Sequence, residues 1–338
     1  MDARNGRLRR RRCGSNARGM TRPEDYPRDL AGYADAPPDP RWPGGKLVAV
    51  QFVVNVEEGG ERNVLHGDAE SEAFLSEIVG AEAWAGERHP NMESIYEYGS
   101  RAGFWRLHRM FGEAGIRPTA FAVATAMERT PHLVRAMREG GWEIATHGLK
   151  WIEHRHLTRE EEAAQMRRAV AIHEALTGEP PRGWYQGRSS VNTLDLVAEI
   201  GREVWGDGGF GDTGFWAADS YADDLPYWRG TPYGEQLVVP YTLDANDMRF
   251  ATAQGFNSGP QFEAYLNDAL DVLIAEGEAG APKMMSIGLH CRLAGRPGRA
   301  AALGRFLARV AGDGRVWVAT RGEIASHWCE AHPAGEAA

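Results

Sequence analysis

The sequence predicts an α/β fold whose parallel sheet closes into a single barrel, and three observations predict it. Short apolar, β-branched runs recur along the chain. Segments with apolar residues at helical spacing separate them, and no break in composition interrupts the alternation.

Taken in order, a proline-rich entry over Ala36–Pro43 leads into Leu47–Val56, an apolar run that reads as a buried strand and is ended by Gly59 and Gly60. Gly99–Ala114 places Phe104, Leu107, Met110 and Phe111 at helical spacing, and Ala120–Ala124 is the next strand. Pro131–Glu139 reads as helix, Trp142–Ala145 as strand and Arg159–Leu176 as helix, entered from an N-cap at Thr158. The pattern continues with a strand at Leu237–Val239, a helix at Gln261–Glu276 and a strand at Met284–Leu289. A helix at Arg299–Val310 and a strand at Val316–Ala319 complete it. Residues 201 to 214 hold six glycines and little periodicity, which predicts a flexible surface loop.

Of 338 residues, 43% are apolar and 25% charged, enough for a sizeable core and unlike a disordered chain. Three cysteines, Cys13, Cys291 and Cys329, are too few for a disulfide scaffold or a four-thiolate zinc site, and they fit a reducing, cytoplasmic setting. No apolar run approaches the roughly 18 residues of a membrane span. The net charge is −9, but the first twenty residues carry seven arginines and one aspartate, so the remainder stands at −15. Such an acidic body repels a nucleic-acid backbone. The Arg9–Arg12 run lacks the apolar stretch of a secretory signal, so residues 1–25 read as a basic extension and 26–338 as one catalytic domain.

In a parallel barrel the chemistry sits at the carboxyl ends of the strands, and four polar clusters fall there. In the first, Asn55 and Glu57 share one face of a strand while Glu58 points the other way. Glu57 is therefore the acid or base candidate; a solvated pair of loop glutamates is the competing reading. The second is Thr146–His147. Trp151 occupies the position where a second metal histidine would follow, and on a helix His154 would lie about 10 Å from His147, too far to share one ion. The third, Trp184–Ser190, mixes stacking surface with the donors Gln186 and Arg188. The fourth is His290–Cys291–Arg292, where adjacent strand positions face apart, which argues against a Cys–His pair.

These clusters, together with Gly141–His147 and Leu289–His290, resemble the motif set of the polysaccharide deacetylase (NodB homology) family over about residues 40 to 330. Longer strings are similar to its PuuE-type allantoinase branch: Pro27–Tyr33, Asn55–Arg62, Met92–Arg101, Asp224–Trp228, Asn246–Phe250 and Ser286–Arg292. The resemblance implies a distorted (β/α) barrel and a metal-independent hydrolase that opens the hydantoin ring of allantoin. It implies no cofactor, no membrane or nucleic-acid partner, and a homo-oligomer with a tetramer as the form to test. By the same resemblance the family's first-strand aspartates fall on Asn55 and Glu57, or in a second register on Glu57 and Glu58. Its metal histidine falls on His147 and its general-acid histidine on His290. The expected catalytic set is thus Glu57, His147 and His290, with Asn55, Trp151, Gln186, Arg188 and Arg292 binding substrate and no metal ligand. The competing activities are metal-dependent removal of acetyl groups from N-acetyl sugars, hydrolysis of a related cyclic imide, and an inactive barrel that binds a ureide or sugar.

Overall fold

A computed structural model describes residues 27–78, 80–206 and 209–335. The chain divides into two units, Met1–Ala36 and Pro37–Ala338. In the first, Asp29 accepts backbone hydrogen bonds from Ala31 and Gly32 and so closes a short turn. The arginine-rich stretch at the start of the chain lies outside the described residues.

The second unit runs β1 (Val48–Val56), a small ribbon of β2 (Glu70–Ser71) and β3 (Trp84–Ala85), then α1 (Pro90–Tyr98) and α2 (Phe104–Ala114), joined by one π-helical turn at Gly99–Gly103. It continues with β4 (Thr119–Ala122), α3 (Ala124–Arg129), α4 (Pro131–Glu139), β5 (Glu143–Thr146), α5 (Arg159–Thr177), β6 (Gly183–Trp184) and α6 (Thr193–Trp205). Next come β7 (Trp216–Ala217), β8 (Tyr227–Thr231), β9 (Gly234–Val238), α7 (Gly259–Glu278) and β10 (Lys283–His290). The last elements are α8 (Pro297–Gly312), β11 (Val316–Val318) and α9 (Arg321–Ala331). Local chemistry sets several boundaries. Thr158 and Glu161 form a reciprocal capping box at the start of α5, and Thr320 with Glu323 does the same for α9.

The sheet has the order β10-β1-β4-β5-β6-β7-β9-β8, all parallel except the β8–β9 hairpin. β1 is its hub. It pairs with β10 from Val48 to Asn55, while β11 and β4 share its other edge, at Val48–Val50 and Val53–Val56. The sheet curls into the distorted barrel that the alternation predicts. The ladder ends at β8 on one side and β10 on the other, which do not pair with each other, and the segment that follows β9 lies at this seam. That segment meets β10 at an isolated bridge, Asn246 to Gly288, where the Gly288 N–H donates to the Ala245 carbonyl at 2.9 Å.

Along β1 every residue is buried, yet the two faces differ in chemistry. Val48, Val50, Phe52, Val54 and Val56 pack outward against α2, α7 and α8 in the main apolar core. Gln51, Asn55 and Glu57 face the barrel interior. A second core, centred on Trp184 and Phe215, lies under α5 and α6.

The glycine-rich stretch differs from its expectation as a flexible loop. Its first five residues are the last turns of α6, and Gly201 is buried there because a Cβ would run into the Thr213 carbonyl and the Phe215 backbone. The glycines allow close backbone approach, which disrupts the helical pattern in the sequence while serving the packing. The segment after His147 also differs: residues 147–153 are irregular, so the helical spacing considered for His147, Trp151 and His154 does not apply.

Candidate active site

The carboxyl ends of β1, β5, β6 and β10, with the seam segment after β9, surround a cavity of about 500 Å³. Its lining includes Asn55, Glu57, His147, Trp151, Tyr185, Arg188, Tyr241, Asn246 and His290, with Arg62, Glu72 and Phe74 contributed by the excursion that follows β1. The four sequence clusters thus meet at one place, as a parallel barrel requires.

Glu57 is the hub of the charges. Its Oε1 lies 3.4 Å from His147 Nε2 and 3.6 Å from His290 Nε2, and its Oε2 is 2.7 Å from Arg292 Nη2. Burial alone would raise this carboxyl, but the Arg292 guanidinium, His290 and a hydrogen bond from His147 outweigh it and hold Glu57 well below the ordinary carboxylate range. His290 is fixed from behind: its Nδ1 is 2.7 Å from Asp247 Oδ1, and Asp247 Oδ2 accepts the backbone N–H groups of His290 and Ala294. Burial would lower this imidazole, but the Glu57 and Asp247 carboxylates reverse that and lift it to about 9. Near neutral pH the pair is therefore a carboxylate facing an imidazolium.

Strand alternation separates the two glutamates as expected. Glu58 turns away from the cavity, accepts the Glu57 N–H at 3.2 Å and stands 3.8 Å from Arg292 Nη1. Burial, opposed by Arg292 and reinforced by the neighbouring Glu57, raises its carboxyl to about 7.

The remaining expected residues divide by position. Trp151 and Arg188 line the cavity together, with the guanidinium 3.7 Å over the indole ring and Nη1 3.5 Å from Glu72. Asn55 lines it too, although its amide is committed to the Leu289 carbonyl and the Tyr241 hydroxyl. Gln186 and Arg292 are not in the lining. The Gln186 amide is used within the protein, accepting from Trp184 Nε1 and meeting His154 Nε2 at 2.9 Å. Arg292 is fully buried behind Glu57, against the ring of Tyr96. Cys291 faces away, near the Asn55 carbonyl, and burial pushes its thiol up, so it is no nucleophile.

Beyond the lining residues Arg62, Glu72 and Phe74, the contributors with no counterpart among the sequence candidates include Asp247, which orients His290; Tyr241, in the cavity wall; and Asp219. The Asp219 carboxylate accepts from the backbone N–H groups of Gln186 and Gly187 and from Ser189, and so shapes the Tyr185–Arg188 loop. The signal for Asp247 was its place inside the family string Asn246–Phe250; strand and helix periodicity carries none.

The donor set does not fit a catalytic metal. Glu57 is already paired with Arg292, and His290 stands between the Asp247 and Glu57 carboxylates with its Nδ1 hydrogen-bonded to the first. Asn55 presents its amide N–H, and Trp151 offers an indole that donates but does not ligate. Among the described residues no group of three His, Cys, Asp or Glu side chains stands at metal-binding spacing.

The polysaccharide deacetylase family model matches residues 89–205. A Schizosaccharomyces pombe protein named "Putative polysaccharide deacetylase" is 42% identical over 320 residues, covering 90% of this chain and 98% of that protein. The crystal structure of Puue allantoinase superposes with a TM-score of 0.86 at 53% identity, covering 91% of this chain and 99% of the other. A crystal structure described as a probable polysaccharide deacetylase from Pseudomonas aeruginosa PAO1 gives 0.85 at 52% identity, with coverage of 91% and 99%. With its barrel, its strand-end site and its likeness to these proteins over nearly their full lengths, the chain belongs to the polysaccharide deacetylase family.

Proposed function

We propose that this protein is a hydrolase that opens the hydantoin ring of allantoin to give allantoate, without a metal. The observation that carries the reading is the Asp247–His290–Glu57 arrangement with Arg292 in place behind it: a base and an acid are poised beside one another in a cavity of about 500 Å³. Likeness to Puue allantoinase over 99% of that chain supports the substrate. So does the lining, since a flat ring dense in N–H and C=O groups suits a wall of aromatic faces and polar ends, whereas a sugar chain needs an open groove.

In this reading Glu57 takes a proton from water as the oxygen adds to the ring carbonyl carbon. The carbonyl π pair becomes an oxyanion, and on its collapse the C–N bond breaks while His290 gives its Nε2 proton to the leaving nitrogen. His147 orients Glu57, and Trp151 with Arg188 forms the wall against the ureido group. Incubating the purified protein with allantoin should release allantoate, with little acetate from N-acetylglucosamine oligomers. Acetate release with no allantoate would overturn the assignment.

The charges fix the pH dependence. Glu57 acts ionised and its carboxyl is depressed, so activity is lost only as pH falls below the ordinary carboxylate range. His290 acts protonated and is raised to about 9, so activity is lost as pH climbs through that value. A kcat/KM profile that is flat across neutrality with its alkaline limb near 9 is expected. An alkaline limb at the ordinary histidine value would overturn the lift that Glu57 and Asp247 give His290, and a profile with no alkaline limb would remove His290 from the role of acid.

Because the donor set does not suit a metal, dialysis against a strong chelator should leave turnover unchanged and metal analysis should find far less than one equivalent per chain. Loss of activity on chelation with recovery on added zinc would overturn the metal-free mechanism. We also propose that the protein acts in the cytoplasm as a homo-oligomer. Among the described residues no helix is long and apolar enough to cross a membrane.

A further inference from the structure

Tyr241 stands where β9 gives way to the seam, in the wall of the cavity, and two amides point at its hydroxyl. Asn55 Nδ2 lies 3.0 Å from Tyr241 Oη and Asn246 Nδ2 lies 3.4 Å from it. The orientation of each amide is fixed independently. Asn55 Nδ2 also contacts the Leu289 carbonyl at 3.0 Å, where an amide oxygen would be repelled. Asn246 gives Nδ2 to the Thr242 carbonyl at 3.1 Å and takes the Met248 N–H on its oxygen at 2.9 Å. Both nitrogens therefore donate to the phenol, and both lone pairs of its oxygen are engaged. Among the described residues no acceptor is recorded for the phenol's own proton, and the side chain borders the cavity. Gly288 on β10 makes the arrangement possible, since a Cβ there would collide with the Tyr241 hydroxyl and the Asn246 amide.

Beneath this group lies a second unusual feature. Arg321, the first residue of α9, is fully buried inside the barrel under the rings of Trp216, Phe121 and Tyr241, at 5.2, 5.4 and 5.7 Å. Its guanidinium meets neutral acceptors: Gln51 Oε1 at 2.8 Å, Ser286 Oγ at 3.1 Å, the Pro240 carbonyl at 3.1 Å and the Val239 carbonyl. No carboxylate forms an ion pair with it among the described residues. Burial pulls it down to about 10, which still leaves it charged at neutral pH. An apolar side chain of similar volume would fill the space at lower cost in desolvation. Two of its acceptors are the carbonyls immediately before Tyr241, so the same residue holds the turn that delivers the phenol and places a positive charge under it.

We propose that Tyr241 is a catalytic residue that donates its hydroxyl proton as a hydrogen bond to the oxygen of the carbonyl under attack, and that Arg321 is the positioning residue that holds it there. This rests on the hydrolytic reading of the site and adds the donor that reading lacks, because Arg292 stands behind Glu57 and Arg188 is engaged with Glu72 at the mouth. A donor aimed at the developing oxyanion strengthens as charge builds, so its loss is felt mainly in kcat.

The test compares Tyr241→Phe, Arg321→Met, Arg321→Lys and the Tyr241→Phe/Arg321→Met double variant with the wild type. Tyr241→Phe should lower kcat by about 10²- to 10³-fold with much less change in KM. Arg321→Met should lower kcat by about ten-fold, and Arg321→Lys, which keeps the charge, should recover most of that loss. The double variant should be no slower than Tyr241→Phe, because Arg321 acts through the phenol. An unchanged kcat in Tyr241→Phe overturns the donor role. Additive losses in the double variant overturn the link, and would give Arg321 a merely structural role. The wild type is assayed on both allantoin and chitooligosaccharide. A protein that hydrolyses only the second fails the allantoin reading while the Tyr241 comparison is still read on acetate release. The crystal structure of Arg321→Met needs no turnover at all: the Tyr241 hydroxyl should leave hydrogen-bond reach of Asn55, and a phenol still in place would overturn the positioning role.

Discussion

Asparagine in place of His290 should lower kcat for allantoin by about 10²- to 10⁴-fold, the loss expected for a positioned general acid. The fold should survive. Asp247 keeps the backbone N–H groups of residue 290 and Ala294 as donors, so its buried carboxylate is not left bare. Thermal unfolding should therefore stay close to that of the wild type while the alkaline limb near 9 disappears from the residual rate. Steady-state kinetics across pH, beside a melting curve, measures both. A variant that keeps its turnover number and its alkaline limb would place the acid elsewhere.

Glutamine at position 57 should cost about the same 10²- to 10⁴-fold, whereas glutamine at position 58 should leave kcat within a few-fold of the wild type. The contrast follows from where the two carboxyls point. Glu57 meets His147 and His290 in the cavity; Glu58 is buried on the far side and raised to about 7, partly by the charge of Glu57. Removing that charge lets Glu58 ionise more readily. It then becomes the counter-ion of Arg292, 3.8 Å away, so Glu57→Gln should fold despite its inactivity. Purified variants assayed at one pH decide the matter, and a larger loss in Glu58→Gln than in Glu57→Gln would exchange their roles.

Much of this was legible in the sequence because β1 and β10 are long, apolar and pure in period. Once Leu47–Val56 is a strand in a parallel barrel, alternation alone puts Asn55 and Glu57 on one face and sends Glu58 to the other, and the barrel brings His147 and His290 to the same rim. Tyr241, Asp247 and Arg321 were not legible in this way. The first two belong to a segment with no repeating pattern, which joins the β10 ladder at one isolated bridge and is otherwise held by side-chain contacts from distant parts of the chain. Arg321 reads from sequence as an ordinary charged residue at a helix start, and only the closed barrel shows that it points inward. Gln186 and Arg292 show the converse. Their residue types suggest contacts with a polar ligand, but packing assigns the amide to Trp184 and His154 and the guanidinium to Glu57.

The segment that follows β9 has a consequence for how such a protein can change over evolutionary time. Tyr241, Asn246 and Asp247 sit in a stretch that owes the ladder one isolated bridge, so substitutions or small insertions there alter which groups face the substrate without shifting the register of any strand. The barrel is held by its ladder, which carries Glu57, His147 and His290 at its strand ends, while the phenol of Tyr241 and the carboxylate behind His290 come from the segment that the ladder barely touches. A lineage that starts from one hydrolysed bond can therefore reach another by rewriting this short segment, with the scaffold's stability largely untouched.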